Sequence, residues 1–200
     1  MNVADPQIYL ASSSPRRQQL LDQIKVRYLL LAPQIKETPR PQESPVDYAL
    51  RIAIEKARAG WKLQQEAIPS KPYLPILGAD TVVTSNNTIF GKPENREDGL
   101  NMLEQLSGKS HDVISAIALI NRTKEYTAIC TSSVTFRHTT PEEREQYWSS
   151  GESGDKAGSY AIQGIGAVFI SNISGSYSGV MGLPLFETAK ILQESGICVL

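Results

Sequence analysis

Apolar and polar positions along this chain fall into blocks that switch between the period of a strand and that of a helix. Residues 8–11, Ile-Tyr-Leu-Ala, form a continuous apolar run of strand length, and Leu20, Leu21 and Ile24 then recur at helical spacing. This predicts a buried strand followed by an amphipathic helix. Ser14 is a natural N-cap for that helix, and Pro15 sits at its first position, where a missing N–H costs nothing. Residues 27–31 read as a second strand, and 32–45 as a polar, proline-rich connection carrying Glu37. A long helix is expected to start at Ser44, with Pro45 in its first turn and Asp47 completing a capping-box-like pair, and to run to about Glu66.

Residues 74–84 are strongly β, and Asn86-Asn87 makes a hairpin-type turn into Ile89-Phe90. A helix over 94–106 stops at Gly108. Two long β runs follow, 111–121 and 125–137, joined by a short turn, and then a helix over 141–150. The glycine-rich stretch 151–182 is expected to carry short strands, and a last helix spans 184–194. Helices and strands alternate on either side of a central β region. That pattern predicts an α/β fold with a mixed sheet and a cleft, as a single domain over residues 1–200.

Two hundred residues suffice to bury one core. The formal net charge of −1, from 20 basic and 21 acidic residues, argues against a nucleic-acid binder that works through bulk charge. Any polyanionic partner must be met by a local cluster of cations. Cys130 and Cys198 are too few for a disulfide scaffold or a zinc site and fit a reducing compartment. The first residues lack a secretory pattern, and apolar runs such as 116–120 are too short to span a membrane. The expectation is a cytoplasmic protein.

Gly108-Lys109-Ser110 ends like a phosphate-binding loop, but Leu103 stands where the first glycine should be and a strand follows. Gly175-Ser176-Tyr177-Ser178-Gly179 places Tyr where a nucleophile elbow needs Ser. With only His111 and His138 in the chain, a histidine-centred site is disfavoured. Carboxylates, lysines and arginines remain, the inventory of phosphoryl chemistry with a hard divalent metal.

Arg16 and Arg17 sit in the first turn of their helix, where the macrodipole already places partial positive charge. They are either ordinary solvated arginines or part of an anion site. In the second case, removing Arg17 should leave stability unchanged or slightly improved. Asp80 lies in the apolar strand Ile76-Leu77-Gly78-Ala79-Asp80-Thr81-Val82-Val83, sharing a face with Gly78, which would leave room for a ligand. A carboxylate there costs several kcal/mol unless compensated. Lys56 is in helical register with Ala49 and Ile52, bordering the packed face, where it either snorkels outward or serves a site. Lys92 lies on the constrained loop Gly91-Lys92-Pro93. Gln163, in Tyr160-Ala161-Ile162-Gln163-Gly164, can read a base edge or satisfy local backbone.

These segments together resemble the Maf family of nucleoside triphosphate pyrophosphatases. The matching blocks are Leu10-Ala11-Ser12-Ser13-Ser14-Pro15-Arg16-Arg17, Glu37, Glu55-Lys56-Ala57, Gly78-Ala79-Asp80-Thr81 and Gly91-Lys92-Pro93. They continue through Leu106-Ser107-Gly108, Asp155-Lys156-Ala157-Gly158-Ser159-Tyr160, Gln163-Gly164 and Val180-Met181-Gly182-Leu183-Pro184. The resemblance implies a mixed sheet in two lobes flanked by helices around a nucleotide cleft, similar to the inosine triphosphatase fold. It further implies a cytoplasmic enzyme, often a homodimer, that uses Mg²⁺ or Mn²⁺ to release pyrophosphate from a nucleoside triphosphate. By motif position Ser12, Arg17, Glu37, Lys56, Asp80, Lys92 and Gln163 would line the site. Glu37 and Asp80 would hold metal, and Asp80 would also activate water. Lys36 departs from the family, which usually has a second acidic residue there.

Three positions divide the family, and here they carry Arg16, Thr81 and Gln163. That set resembles the branch acting on dTTP and UTP. The branch acting on 7-methyl-GTP tends to have Trp, Gln and Glu. The rival expectations are 7-methyl-GTP hydrolysis and, from a different class that the family resemblance also implies, a non-catalytic nucleotide sensor that inhibits septum formation.

Overall fold

The computed structural model describes residues 5–67 and 73–199. Among the described residues seven strands form one mixed sheet, six in the order β2-β1-β3-β5-β6-β7 and the seventh, β4, paired with β3 off this path. β1 (Ile8–Ala11) lies between β2 (Tyr28–Leu31) and β3 (Ile76–Ser85), parallel to both, which is why its sequence is apolar without alternation. β3, β5 (Ser110–Ile120), β6 (Glu125–Phe136) and β7 (Ile170–Ser174) continue antiparallel.

One edge of β3 is shared, and the sharing makes the cleft. β5 occupies the other edge along nearly its whole length. On the shared edge β1 pairs only with Ile76 and Leu77, while β4 (Thr88–Phe90) folds back onto Val83–Ser85. Residues 78–82 are left there without a strand partner. The chain leaving β1 turns through Ser12-Ser13-Ser14 into α1 (Pro15–Gln23) beside this gap. Ligands in open α/β sheets bind at such a place, beyond a strand's carboxyl end.

α2 (Pro45–Ala67) covers one face of the sheet, setting Tyr48, Ala49, Ile52, Ala53 and Ala57 against Tyr9, Ile76, Val82 and Ala116. On the opposite face α1, α5 (Tyr177–Met181) and α6 (Leu185–Glu194) cover Leu10, Leu77, Ile117 and Leu119. Farther along that face, α3 (Arg96–Leu106) and α4 (Pro141–Ser149) cover Val113, Val134 and Phe136. These two groups of helices are the lobes, built on one sheet.

Gly78 decides how closely α2 approaches. A Cβ at this position would stand 2.3 Å from the Ala53 carbonyl oxygen and 2.7 Å from the Ala57 nitrogen. The glycine therefore makes room for a helix backbone, not for a ligand as its place beside Asp80 suggests.

Other departures from the sequence expectation have local causes. β3 begins at Ile76 because the Gln64 amide bonds the Leu74 N–H at 2.8 Å and the Leu74 carbonyl at 3.0 Å, occupying both ladder groups. α3 begins at Arg96 because the Asn95 side chain accepts from the Asp98 N–H. The stretch 151–182 holds one strand, two 3₁₀ turns (Ala157–Ser159 and Ile165–Phe169) and α5, where several short strands are expected. Its backbone turns through positive φ at Gly158, Gly175 and Gly182, which an extended ladder does not allow. Among the described residues no helix is long and apolar enough to cross a membrane.

Candidate active site

A cavity of about 720 Å³ opens along the free edge of β3 and reaches both faces of the sheet. That size suits a small-molecule ligand. Ser12, Arg16, Arg17, Glu37, Lys56, Asp80, Thr81, Lys92 and Gln163, all singled out in the sequence, line it.

Asp80 points to the α2 side, and its side chain is 8 % exposed. Because Gly78 draws α2 in, Lys56 on that helix turns inward and donates to Asp80 Oδ1 at 2.8 Å and to Glu37 Oε2 at 3.0 Å. It does not snorkel outward. Burial pushes the Asp80 carboxyl above its ordinary range, opposed by the nearby Lys56 and Arg17 charges. Glu37, on the connection before α2, remains half-exposed and brings its carboxylate over the cavity.

Among the described residues no group of three or more His, Cys, Asp or Glu side chains gathers as a self-sufficient metal cage. Glu37 and Asp80, joined through one ammonium, offer two hard carboxylates next to an open cavity. Such a donor set fits Mg²⁺ or Mn²⁺ completed by phosphate oxygens and water.

The two arginines of α1 part company. Arg17 is buried, 9 % exposed, and its guanidinium is committed to the protein. Nε donates to the Gly182 carbonyl at 2.9 Å, Nη1 to Ser12 Oγ at 3.0 Å, and Nη2 to Thr81 Oγ1 at 3.5 Å. Burial pulls its pKa down, offset by the charges of Asp80 and Glu37. Thr81 in turn is spoken for. Ser115 Oγ donates to the Gly179 carbonyl at 2.7 Å, so the Thr81 hydroxyl donates to Ser115 across 2.8 Å while facing Arg17 with its lone pairs. Arg17 and Thr81 thus tie α1, β3, β5 and α5 together within the cavity wall. Ser14 occupies the N-cap position without a side-chain cap bond. Ser12 Oγ accepts the Ser14 N–H instead, at 3.2 Å.

Arg16 stays on the cavity side and faces Asp155 Oδ2 at 3.9 Å. Lys92 is exposed on the loop after β4, which the Gly158 N–H holds through the Gly91 carbonyl at 3.1 Å. Gln163 is exposed in a turn at the rim rather than enclosed in apolar sequence. Both flanks of that turn are anchored. The Tyr147 hydroxyl accepts from the Ala161 N–H and donates to Glu152, whose carboxylate takes the N–H groups of Ile165 and Gly166. Burial would raise the Glu152 pKa, but these hydrogen bonds hold it below its ordinary range.

Sequence reasoning leaves out Tyr48, Asp155, Lys156, Glu152 and Tyr147. Asp155-Lys156 lies within a matching block but is given no role there. Glu152 and Tyr147 act across 14 residues of chain that carry no periodic signal.

The chain matches the Maf family, described as Maf-like protein, over residues 7–195. It is 53% identical over 189 residues to a dTTP/UTP pyrophosphatase of Alkalilimnicola ehrlichii, covering 94% of this chain and 93% of that protein. It is 49% identical over 205 residues to a protein of the same name from Nitrosospira multiformis, covering 98% of each. A third, from Hydrogenovibrio crunogenus, is 45% identical over 188 residues, covering 94% of this chain and 95% of that protein. The solved Staphylococcus aureus Ham1 protein aligns with a TM-score of 0.42 at 14% identity, over 64% of this chain and 71% of that one, too loose a likeness to carry an argument. With the family matched over residues 7–195 and its motif side chains gathered around one cavity, the chain belongs to the Maf family.

Proposed function

We propose that this protein hydrolyses dTTP and UTP to the monophosphate and pyrophosphate. One observation carries the reading. The Glu37–Lys56–Asp80 constellation opens on a cavity that also presents Arg16, Lys92 and Lys156, so two carboxylates and several cations converge on one space. The names of the relatives support the same activity for this chain.

The triphosphate would lie against the first turn of α1, whose N–H groups would donate to it, with Arg16, Lys92 and Lys156 around it. Asp80, its basicity raised by burial, would take the proton of a water attacking the α-phosphorus as the bond to the pyrophosphate oxygen breaks. Lys56 would hold Asp80 and Glu37 in place, and Arg17 would fix the wall behind them. A divalent metal held by Glu37 and Asp80 would offset the negative charge that collects on the phosphate oxygens. Gln163 offers both a donor and an acceptor to the edge of a uracil or thymine. Residence in the cytoplasm and assembly as a homodimer belong to the same proposal and rest on the family resemblance.

The test is pyrophosphate release from a panel of nucleoside triphosphates with Mg²⁺ or Mn²⁺ and with chelator. Release from dTTP and UTP above all others, abolished by chelator, is expected. Release from none overturns the enzyme reading. A preference for 7-methyl-GTP overturns the pyrimidine specificity alone.

A further inference from the structure

Two cations of the cleft have partners fixed by other elements. Arg17 has the Gly182 carbonyl and Lys56 has Asp80 and Glu37. Arg16 and Lys156 are different. Among the described residues their only ion-pair partner is Asp155, which meets Arg16 through Oδ2 and the Lys156 ammonium through Oδ1. The two cations come from separate elements, Arg16 from the first turn of α1 and Lys156 from the turn after α4, and all three residues line the cavity.

We propose that Asp155 is an internal stand-in for a substrate phosphate, occupying Arg16 and Lys156 in the free cleft and displaced by the incoming anion. The proposal rests on the reading of this cavity as a triphosphate site. Three observations bear it out. Arg16 lies at a helix N-terminus with no acidic residue in the first turn, a placement that calls for an anion from elsewhere. The carboxylate supplying that anion is 66% exposed and stands 3.9 Å from Arg16, a loose pair of the kind that adds little stability, while its closer contact is with the Lys156 ammonium. The turn that carries it is held at both ends, by the Lys156 N–H to the Ser153 carbonyl at 3.2 Å and by the Gly158 N–H to the Gly91 carbonyl at 3.1 Å, so only the exposed Asp155 side chain has to turn away.

A competing carboxylate weakens ground-state binding of any phosphate and speeds the departure of pyrophosphate. The experiment measures calorimetric binding of inorganic pyrophosphate, with chelator and at low salt, to the full-length wild type and to Asp155→Asn. The expected result is a Kd about fivefold lower in the variant, the removal of a competitor worth about 1 kcal/mol. In turnover, KM falls while kcat holds or drops. A purely structural role would instead lower thermal stability and leave the Kd ratio at one. An unchanged or raised Kd, or no binding by either protein, overturns the proposal. Asp155→Ser serves if the amide variant misfolds. Tighter pyrophosphate binding in a protein that hydrolyses no triphosphate would keep this proposal and sink the enzyme reading. Hydrolysis with an unaltered Kd would do the reverse.

Discussion

Lys56 reaches Asp80 at 2.8 Å because Gly78, two residues before Asp80 on the same strand face, lets α2 lie against the backbone of β3. The contact that organises the site is therefore set by an atom the chain lacks. Gly78→Ala must push α2 away from Ala53 and Ala57, at a cost of about 3 kcal/mol. The midpoint of urea unfolding should fall and turnover should fall with it. A variant of wild-type stability would show that the helix yields without strain.

Asp80→Asn keeps the volume and removes the charge. Turnover should drop more than tenfold, about 1.4 kcal/mol or more in barrier. Circular dichroism should remain native, since Lys56 keeps Glu37 as its partner. Residual activity above a tenth of wild type would remove Asp80 from its role at the water.

Arg17→Ala should destabilise the protein by about 3 kcal/mol, because the Gly182 carbonyl and Ser12 lose a charged donor in a buried place. This reverses the expectation from helix position alone, by which a cation near an N-terminus is dispensable. Equilibrium unfolding decides between them, and an unchanged midpoint restores the simpler view.

His111 is buried, 3 % exposed, with Nε2 at 2.9 Å from the Tyr160 hydroxyl and burial holding its pKa down to about 4. The unfolded state binds the proton more readily, so this contribution is complete above pH 6.5 and is lost as pH falls toward 4. The displacement corresponds to about 3 kcal/mol. His111→Phe should be less stable than wild type at pH 7.5, since Tyr160 loses its partner, and the gap should narrow on acidification. Melting temperatures of the two proteins that run parallel from pH 7.5 to 4.5 would contradict this.

Gln163→Glu should lower kcat/KM for dTTP and UTP at least tenfold, as a carboxylate cannot donate to a pyrimidine carbonyl. Gln163 is exposed on an anchored turn, so the fold should be untouched. Moving the whole specificity set, with Arg16→Trp and Thr81→Gln, is a less clean test, because Thr81 is bonded to Ser115 and Arg17. Equal kcat/KM in wild type and Gln163→Glu would take Gln163 out of base recognition.

The alternation of β and helical periods was enough to order nearly every element, and Asp80 stood out because a lone carboxylate in an apolar strand needs a partner. What the chain could not disclose locally was who that partner would be. Lys56 is 24 residues away, and its inward turn depends on a glycine whose purpose looked like ligand access. The bonding of Arg17 is equally non-local, since its carbonyl acceptor lies 165 residues downstream. The glycine-rich stretch resisted because positive φ at Gly158, Gly175 and Gly182 is invisible to periodicity.

β3 and β5 run unbroken beneath both groups of helices, so no linker joins the two halves of the cleft. A protein built this way cannot clamp shut as two jaws on a hinge. Opening the sheet would break the ladder between Ile76 and Thr84, whereas the margins at 32–44 and 151–166 carry no such ladder. Amide hydrogen exchange should therefore be slow through β3 and β5 with or without nucleotide, and ligand-induced protection should be confined to those two margins.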